Sequence, residues 1–460
     1  MLENIRQILE TKFHFRPNKN QLKDIERLIF EIMRRENVSL DEIVNYLDQS
    51  AQLHKYTGGN IFYGIKNSLV KKRFPLTSSR EIIDTEKIFL NPIQSPLTDN
   101  YQVKNDFKPL HIFIEKEVAS SKFASQIKGK FPKIPISELD YQSEYLKKNK
   151  FKLSDLKKPI VFIVKEKWDF IKPCPCTKGH LPCGYWIFNL SFGCPYDCSY
   201  CFLQQYSNFP GIILPANVED FFEKFDAFLK KIKKPIRIGT GEFCDSLALD
   251  HLTGYSKKLV PYFKDKNLLF ELKTKSTQIE NILSIEASKN IVISWSLNPK
   301  DTSDKEERGA PSLKERLNAA KTVQKKGFRI AFHFDPIIHS ENWKALYKNM
   351  LEQLYNSVSA PFSWISLGTL RSHRNLKSAV EKRLPESNIF YGELFIGKDK
   401  KLRYPEFLRR EIYENMVKWI REHDTKTPVY LCMENKKMWE ALGDRFKSSK
   451  DIESYILKQI

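Results

Sequence analysis

No apolar run in the 460 residues approaches the ~20 residues that a membrane-crossing helix needs, so no membrane span is expected. The opening Met1-Leu2-Glu3-Asn4 lacks the basic-then-apolar pattern of a secretory leader, and the expectation is a cytoplasmic protein without a membrane partner. Acidic residues are in deficit: 56 Asp and Glu stand against 76 Lys and Arg, a formal net charge of +20. Such an excess draws polyanions, nucleic acid before anionic membrane surfaces. A lysine-rich solvated surface with no partner explains the composition equally well. Cysteine is scarce, at eight, yet six of the eight fall between 174 and 201. Apolar bulk is not lacking: 41% hydrophobic residues, with 32 Phe and 7 Trp, give a folded chain long enough for two or three domains.

The densest cysteines lie in Gly193-Cys194-Pro195-Tyr196-Asp197-Cys198-Ser199-Tyr200-Cys201-Phe202-Leu203-Gln204, directly after the apolar run Tyr185-Trp186-Ile187-Phe188. Their spacing is C-x₃-C-x₂-C. A zinc ribbon wants a fourth ligand from a paired motif, and no second C-x₂-C pair follows. Disulfides and buried structural cysteines leave three cysteines in eight residues unexplained where thiols stay reduced. Three thiolates on one short loop suit a [4Fe–4S] cube, with Cys194, Cys198 and Cys201 on three irons and the fourth iron open. Cys174, Cys176 and Cys183 form Cys-Pro-Cys-x₆-Cys, which reads either as an incomplete second metal site or as free thiols. Cys432, beside Val429-Tyr430-Leu431, reads as a core residue.

Along the chain, residues 1–75 carry helical spacing at Leu9, Phe13, Ile25, Leu28, Ile29, Ile32 and Met33, with Ser39 as a cap, and predict a helical accessory domain. Residues 76–108, rich in Pro, Ser, Thr and Asn, predict a linker or extended arm. Residues 109–172 predict a small α/β domain with strands at 110–114 and 160–164. From 173 to 400 strand and helix alternate: after the strand leading to the cysteines come strands at 236–239, 268–272, 291–296, 329–334 and 363–367. Six such units predict a partial (β/α)₆ barrel with its chemistry at the C-terminal strand ends, and 401–460 a C-terminal α/β extension. Polar residues crowd those ends, at Glu242, Lys275, Ser296, Asn298, His333 and Arg371.

With Tyr200 just ahead of the third cysteine, the cysteine motif resembles the radical S-adenosylmethionine superfamily. That resemblance implies a cube whose open iron chelates S-adenosylmethionine, and reductive cleavage to a 5′-deoxyadenosyl radical that takes hydrogen from substrate. It also implies an electron donor such as a flavodoxin or ferredoxin. Together with Glu242-Phe243-Cys244-Asp245-Ser246 and Asp250-His251-Leu252-Thr253, the motif is similar to the spore photoproduct lyases, over roughly 110–445. In that branch the radical is taken from a thymine-dimer lesion in DNA, and a cysteine returns the hydrogen. The resemblance makes Cys244 and Glu242 the candidate catalytic residues and Tyr200, Glu242, Lys275, Ser296, Asn298 and His333 candidate cofactor contacts. Two departures stand out. Glu242 occupies the ungapped position of the donor cysteine, with Cys244 two residues later, and Phe202 stands where the lyases carry tyrosine. Two roles therefore stay open for Cys244, hydrogen donor or packing residue. The substrate stays open too: a DNA lesion in repair, or alternatively RNA, a peptide or a metabolite, with a non-catalytic iron–sulfur nucleic-acid-binding protein as a further class.

Overall fold

The computed structural model describes residues 2–50, 53, 60–78, 107–167, 171–176, 179–207, 209–232, 234–441 and 448–457. Most of the expected linker, 79–106, lies outside the described residues. The chain divides into two units, one of 1–95 with 339–342 and 385–395, the other of 96–338, 343–384 and 396–460.

In the first unit, local signals set the helices. Asn18 and Ser39 each close a capping box, with Gln21 and Glu42, over helices Lys19–Glu36 and Leu40–Asp48. Helices Leu2–Lys12 and Ile61–Arg73 complete a bundle around Leu9, Ile25, Ile29, Ile32, Ile43 and Ile65. Arg73, fully buried there, is paired with the buried Glu31 at 2.7 Å, as a buried cation requires.

The second unit is built on two larger sheets. Strands β1 (His111–Glu115), β2 (Ile136–Leu139) and β3 (Ile160–Val164) run parallel, and β3 is apolar at all five positions because it is covered on both faces. The larger sheet starts with β4 (Ile171–Pro173) and β5 (Tyr185–Phe188), after which a short β6 (Asp197–Cys198) lies in the cysteine loop. Strand β7 (Ile212–Pro215) then returns to the small sheet, beside β3, a pairing that the sequence reading did not place. The large sheet continues with β8 (Ile236–Thr240), β9 (Leu268–Thr274) and β10 (Ile291–Ser296). A short β11 (Glu307–Arg308) precedes β12 (Arg329–Ile337) and β13 (Ile365–Thr369). The C-terminal strand Val429–Leu431 adds a seventh parallel strand to the six expected, and antiparallel β4 closes the other edge. The order is Val429–Leu431, β13, β12, β10, β9, β8, β5, β4, a curled mixed half-barrel.

The helices behind this sheet seat on phenylalanine. Phe221 and Phe225 of helix Val218–Leu229 are buried, and Phe263 stacks on Phe270 of β9 at 3.9 Å. No helix among the described residues is long and apolar enough to cross a membrane.

Candidate active site

The cysteine loop leaves the end of β5 through a tight crossing. Phe192 and Ile213 exchange backbone hydrogen bonds of 3.2 and 2.8 Å, which holds the loop against β7. Gly193 sits there at φ 95°, and a Cβ would fall 2.6 Å from the carbonyl oxygen of Gly211, so only glycine fits. The loop then closes on itself. Cys201 N–H donates to the Cys198 carbonyl at 3.1 Å, and Gln204 Nε2 donates to the carbonyls of Cys198 and Ser199 at 3.0 and 2.9 Å. Strand β6 pairs antiparallel with β11, Cys198 opposite Glu307. Arg383 clamps Asp197 through both carboxylate oxygens, at 2.8 and 3.0 Å.

The result is convergence. Cys194, Cys198 and Cys201 share one apolar cluster with Tyr196, Tyr200, Ala248 and Ala310. Burial pushes the Cys198 thiol up to about 12, against the pull of Lys275, and raises Cys194 well above the ordinary thiol value against the pull of Lys157. Thiols so placed ionise when a metal offsets the cost. Two lysines supply positive charge around them. Burial works against the charge of Lys157, but Cys194, Asp197, Cys201 and Cys198 outweigh it and raise its pKa. Lys275 is raised likewise, by Glu307 and Cys198 over its own burial. Among the described residues no three His, Cys, Asp or Glu side chains close on a single ion, so the trio does not form a mononuclear shell. Three thiols gathered on one loop fit a cube, which takes each ligand on a separate iron.

Beside the cysteines lies a polar group centred on Glu307, a residue the sequence reading passed over. Its carboxylate accepts from Tyr200 Oη and from Asn298 Nδ2 (2.9 Å), and pairs with Arg316 at 2.6 Å. Arg316, Lys275, Tyr200 and Asn298 outweigh burial and bring Glu307 down to about 2. Arg316 also donates to the Ser296 carbonyl at 3.1 Å, and Tyr347 Oη to Asn298 Oδ1 at 2.8 Å. Of the expected cofactor contacts, Tyr200 and Asn298 thus bond one carboxylate, Lys275 adds its charge beside it, and Ser296 is tied to it only through Arg316. The signal for Glu307 was its place after β10, one residue before Arg308, a position with no motif attached.

Glu242 stands elsewhere at the strand ends. Burial raises its pKa against the opposing charges of Lys273, Arg371 and Lys172, with Asp335 reinforcing burial. Arg371 forms a largely buried ion pair, bonded to Asp335 at 2.8 and 3.0 Å. His333 sits inside the barrel: its Nε2 lies 2.6 Å from Glu271 Oε1, which also accepts from Ser294 at 2.6 Å. Burial keeps that histidine low and neutral. Cys244 is buried; burial lifts it to about 11, with Ser191 as its hydrogen-bonding neighbour and Asp245 nearby. Asp245 is a brace rather than a loose acid, accepting from Thr274 Oγ1 at 2.5 Å and from the Lys275 amide at 2.7 Å. Asp250 of the Asp-His-Leu-Thr stretch is structural as well, held by Ser256 and Asn281 at 2.5 to 2.9 Å. Phe202 packs edge-on against Tyr206 and Phe243.

The Spore photoproduct lyase family model matches residues 147–422. The spore photoproduct lyase of Clostridium acetobutylicum is 25% identical over 236 residues, covering 51% of this chain and 68% of that protein. That of Bacillus subtilis is 24% identical over 336 residues, covering 68% and 96%. Among solved structures, a spore photoproduct lyase variant with bound AdoMet and dinucleoside spore photoproduct has a TM-score of 0.63 at 20% identity. The lyase complexed with dinucleoside spore photoproduct has a TM-score of 0.61 at 21% identity. Each similarity covers 71% of this chain and 99% of the solved one, and shows a shared fold.

Proposed function

The chain belongs to the spore photoproduct lyase family of the radical S-adenosylmethionine superfamily, and from that premise we propose that it is a radical enzyme acting on linked bases in DNA. The observation that carries the reading is the meeting of Cys194, Cys198 and Cys201 in one apolar cluster flanked by Lys157 and Lys275. Cys194, Cys198 and Cys201 would hold a [4Fe–4S] cube there, which would supply the electron for reductive cleavage of S-adenosylmethionine.

In this reading the chain's own residues bind and orient. Lys275, kept charged, meets the carboxylate of the cofactor's methionyl part, and the Ser296 hydroxyl bonds its polar edge. Tyr200 and Asn298 act through Glu307, whose position they fix. Glu242, whose anionic form burial disfavours, gains by accepting the cofactor's ammonium. His333 orients Glu271 inside the barrel. Cys244, packed beside Ser191, is a structural residue and not the hydrogen donor. The net charge of +20 draws the DNA backbone, and a flavodoxin or ferredoxin delivers the electron.

Anaerobic reconstitution with iron and sulfide, followed by assay for 5′-deoxyadenosine with and without dinucleoside spore photoproduct, tests the reading. Nucleoside release from the photoproduct is the expected result. Cofactor cleavage indifferent to the lesion would move the substrate to RNA, a peptide or a metabolite. No cleavage at all would leave a binding protein.

A further inference from the structure

We infer that the lysine-rich segment 147–158, on the small-sheet side of the cysteine loop, is the docking surface for a small acidic electron-carrier protein. The inference rests on the proposed radical chemistry, which needs an electron from outside the chain, and adds where that electron enters.

The sequence concentrates charge here, with six lysines and one aspartate in residues 147–158. The one acid, Asp155, is already engaged. It pairs with Lys158 at 2.7 Å and accepts from the Lys152 backbone N–H at 2.9 Å. Lys147, Lys148, Lys150 and Lys152 stand exposed. Like charges this dense repel one another, and an anionic partner relieves the repulsion.

The fold turns the run into a concave face. Lys150, Lys152 and Lys158 line a cavity of about 270 Å³ with Tyr145, Phe151 and Pro210 among its other walls. Rings ringed by charge suit a protein partner. Electron-transfer encounters are small and steered by complementary charge, and a basic hollow of this size is in proportion to one.

The same segment ends on the cysteine loop. Lys157 donates to the Cys194 carbonyl at 3.0 Å and to the Tyr196 carbonyl. Pro210, in the cavity wall, precedes Gly211, whose carbonyl oxygen lies against Gly193, the residue before Cys194. Tyr145, in the same wall, packs on Phe162 and Phe209 at ring distances of 5.3 and 6.3 Å. Their cluster includes Phe192, two residues before Cys194. Tunnelling falls off exponentially with distance, and a carrier seated here meets the thiols across this packed wall. Lys275 and Glu307 approach the cysteines from the large sheet instead, where the proposed function places cofactor and substrate. DNA, the other polyanion that the net charge attracts, must deliver its bases to that side. The small-sheet lysines are left to the carrier.

The test uses the full chain after anaerobic reconstitution, with a purified flavodoxin and a purified ferredoxin, both acidic, as probes. Lys148→Glu/Lys150→Glu/Lys152→Glu is compared with Lys314→Glu/Lys321→Glu/Lys325→Glu, the same charge change at exposed positions of helix Leu313–Lys325. Fluorescence anisotropy of each labelled carrier reads binding over a range of salt. 5′-Deoxyadenosine is counted with each carrier and with dithionite as the electron source. The first variant should bind a carrier about tenfold more weakly than wild type and the control do. Carrier-driven cleavage should fall by a similar factor, with dithionite-driven cleavage unchanged. Equal binding of both carriers to the two variants would overturn the docking surface. Loss of duplex DNA binding with carrier binding intact would overturn it too, and assign the lysines to the phosphate backbone. Absence of dithionite-driven cleavage in the wild type would count against the proposed function, while the anisotropy comparison would still decide the docking surface.

Discussion

The ammonium of Lys157 donates to the carbonyl oxygen of Cys194 at 3.0 Å, joining the end of the small sheet to the first cysteine of the loop. It also donates to the Tyr196 carbonyl, so one cation satisfies two loop carbonyls beside the sulfurs. A fixed positive charge at that point favours the more reduced, more negative state of anything the three thiolates hold. Lys157→Met should therefore leave iron content near wild type and lower the cluster's reduction potential by on the order of 50 mV, about 1 kcal/mol for one electron. A redox titration followed by electron paramagnetic resonance reads it. An unchanged or higher potential would reduce Lys157 to a loop brace.

Glu307 makes a pH prediction. Its folded pKa is about 2, below the ordinary carboxylate value of 4.5, held down by Arg316, Lys275, Tyr200 and Asn298 over the opposing effect of burial. A depressed carboxylate adds stability above its unfolded pKa and loses it as pH falls through the folded one. The window is thus about pH 4.5 down to 2. Glu307→Gln should be less stable than wild type at neutral pH, by a few kcal/mol because it strands buried Arg316, and should show a shallower acid limb. Denaturant melts across that window measure both effects; parallel acid limbs would contradict the assignment.

Much of the barrel was legible because its strands alternate with amphipathic helices and its cysteines fall in one loop. Leu268–Thr274 and Ile291–Ser296 announce themselves as apolar runs buried on both faces. Contacts made by chain reversal were not legible. Nothing near Ile212–Pro215 says that it leaves the cysteine loop to pair with β3. Glu307 was hidden for the same reason: its partners Tyr200 and Arg316 reach it from a loop far upstream and from a later helix. His333 shows the same limit, since a place at a strand end does not say that Glu271, on the second strand over, lies against its ring.

Cys198 and Cys244 should behave differently. Cys198 belongs to the converging trio, and two remaining thiolates do not hold a cube, so Cys198→Ala should lose the cluster and all cofactor cleavage. Cys244 is buried beside Ser191, and Cys244→Ala should cost about 1–2 kcal/mol of stability while leaving 5′-deoxyadenosine formation and product unchanged. A stalled or diverted product with normal cofactor cleavage would make Cys244 the hydrogen donor after all.

The loop itself depends on Gly193. Its φ of 95° is open to glycine and strained for other residues, and the Cβ of an alanine would lie 2.6 Å from the Gly211 carbonyl oxygen and 3.1 Å from Ile212 Cα. Both neighbours are backbone. They belong to the segment that pairs β7 with β3, so neither yields without loosening the small sheet. Gly193→Ala should therefore act on the loop before it acts on the barrel. The expected result is a protein with near-normal circular dichroism, destabilised by about 1–3 kcal/mol, that takes up well under half the iron of wild type on reconstitution. Gly129→Ala is the matching control, because nothing lies within 4 Å of a Cβ there and its φ is unexceptional; it should load fully. Full iron uptake by Gly193→Ala would show that the loop takes its shape from the metal and not from the crossing beneath it.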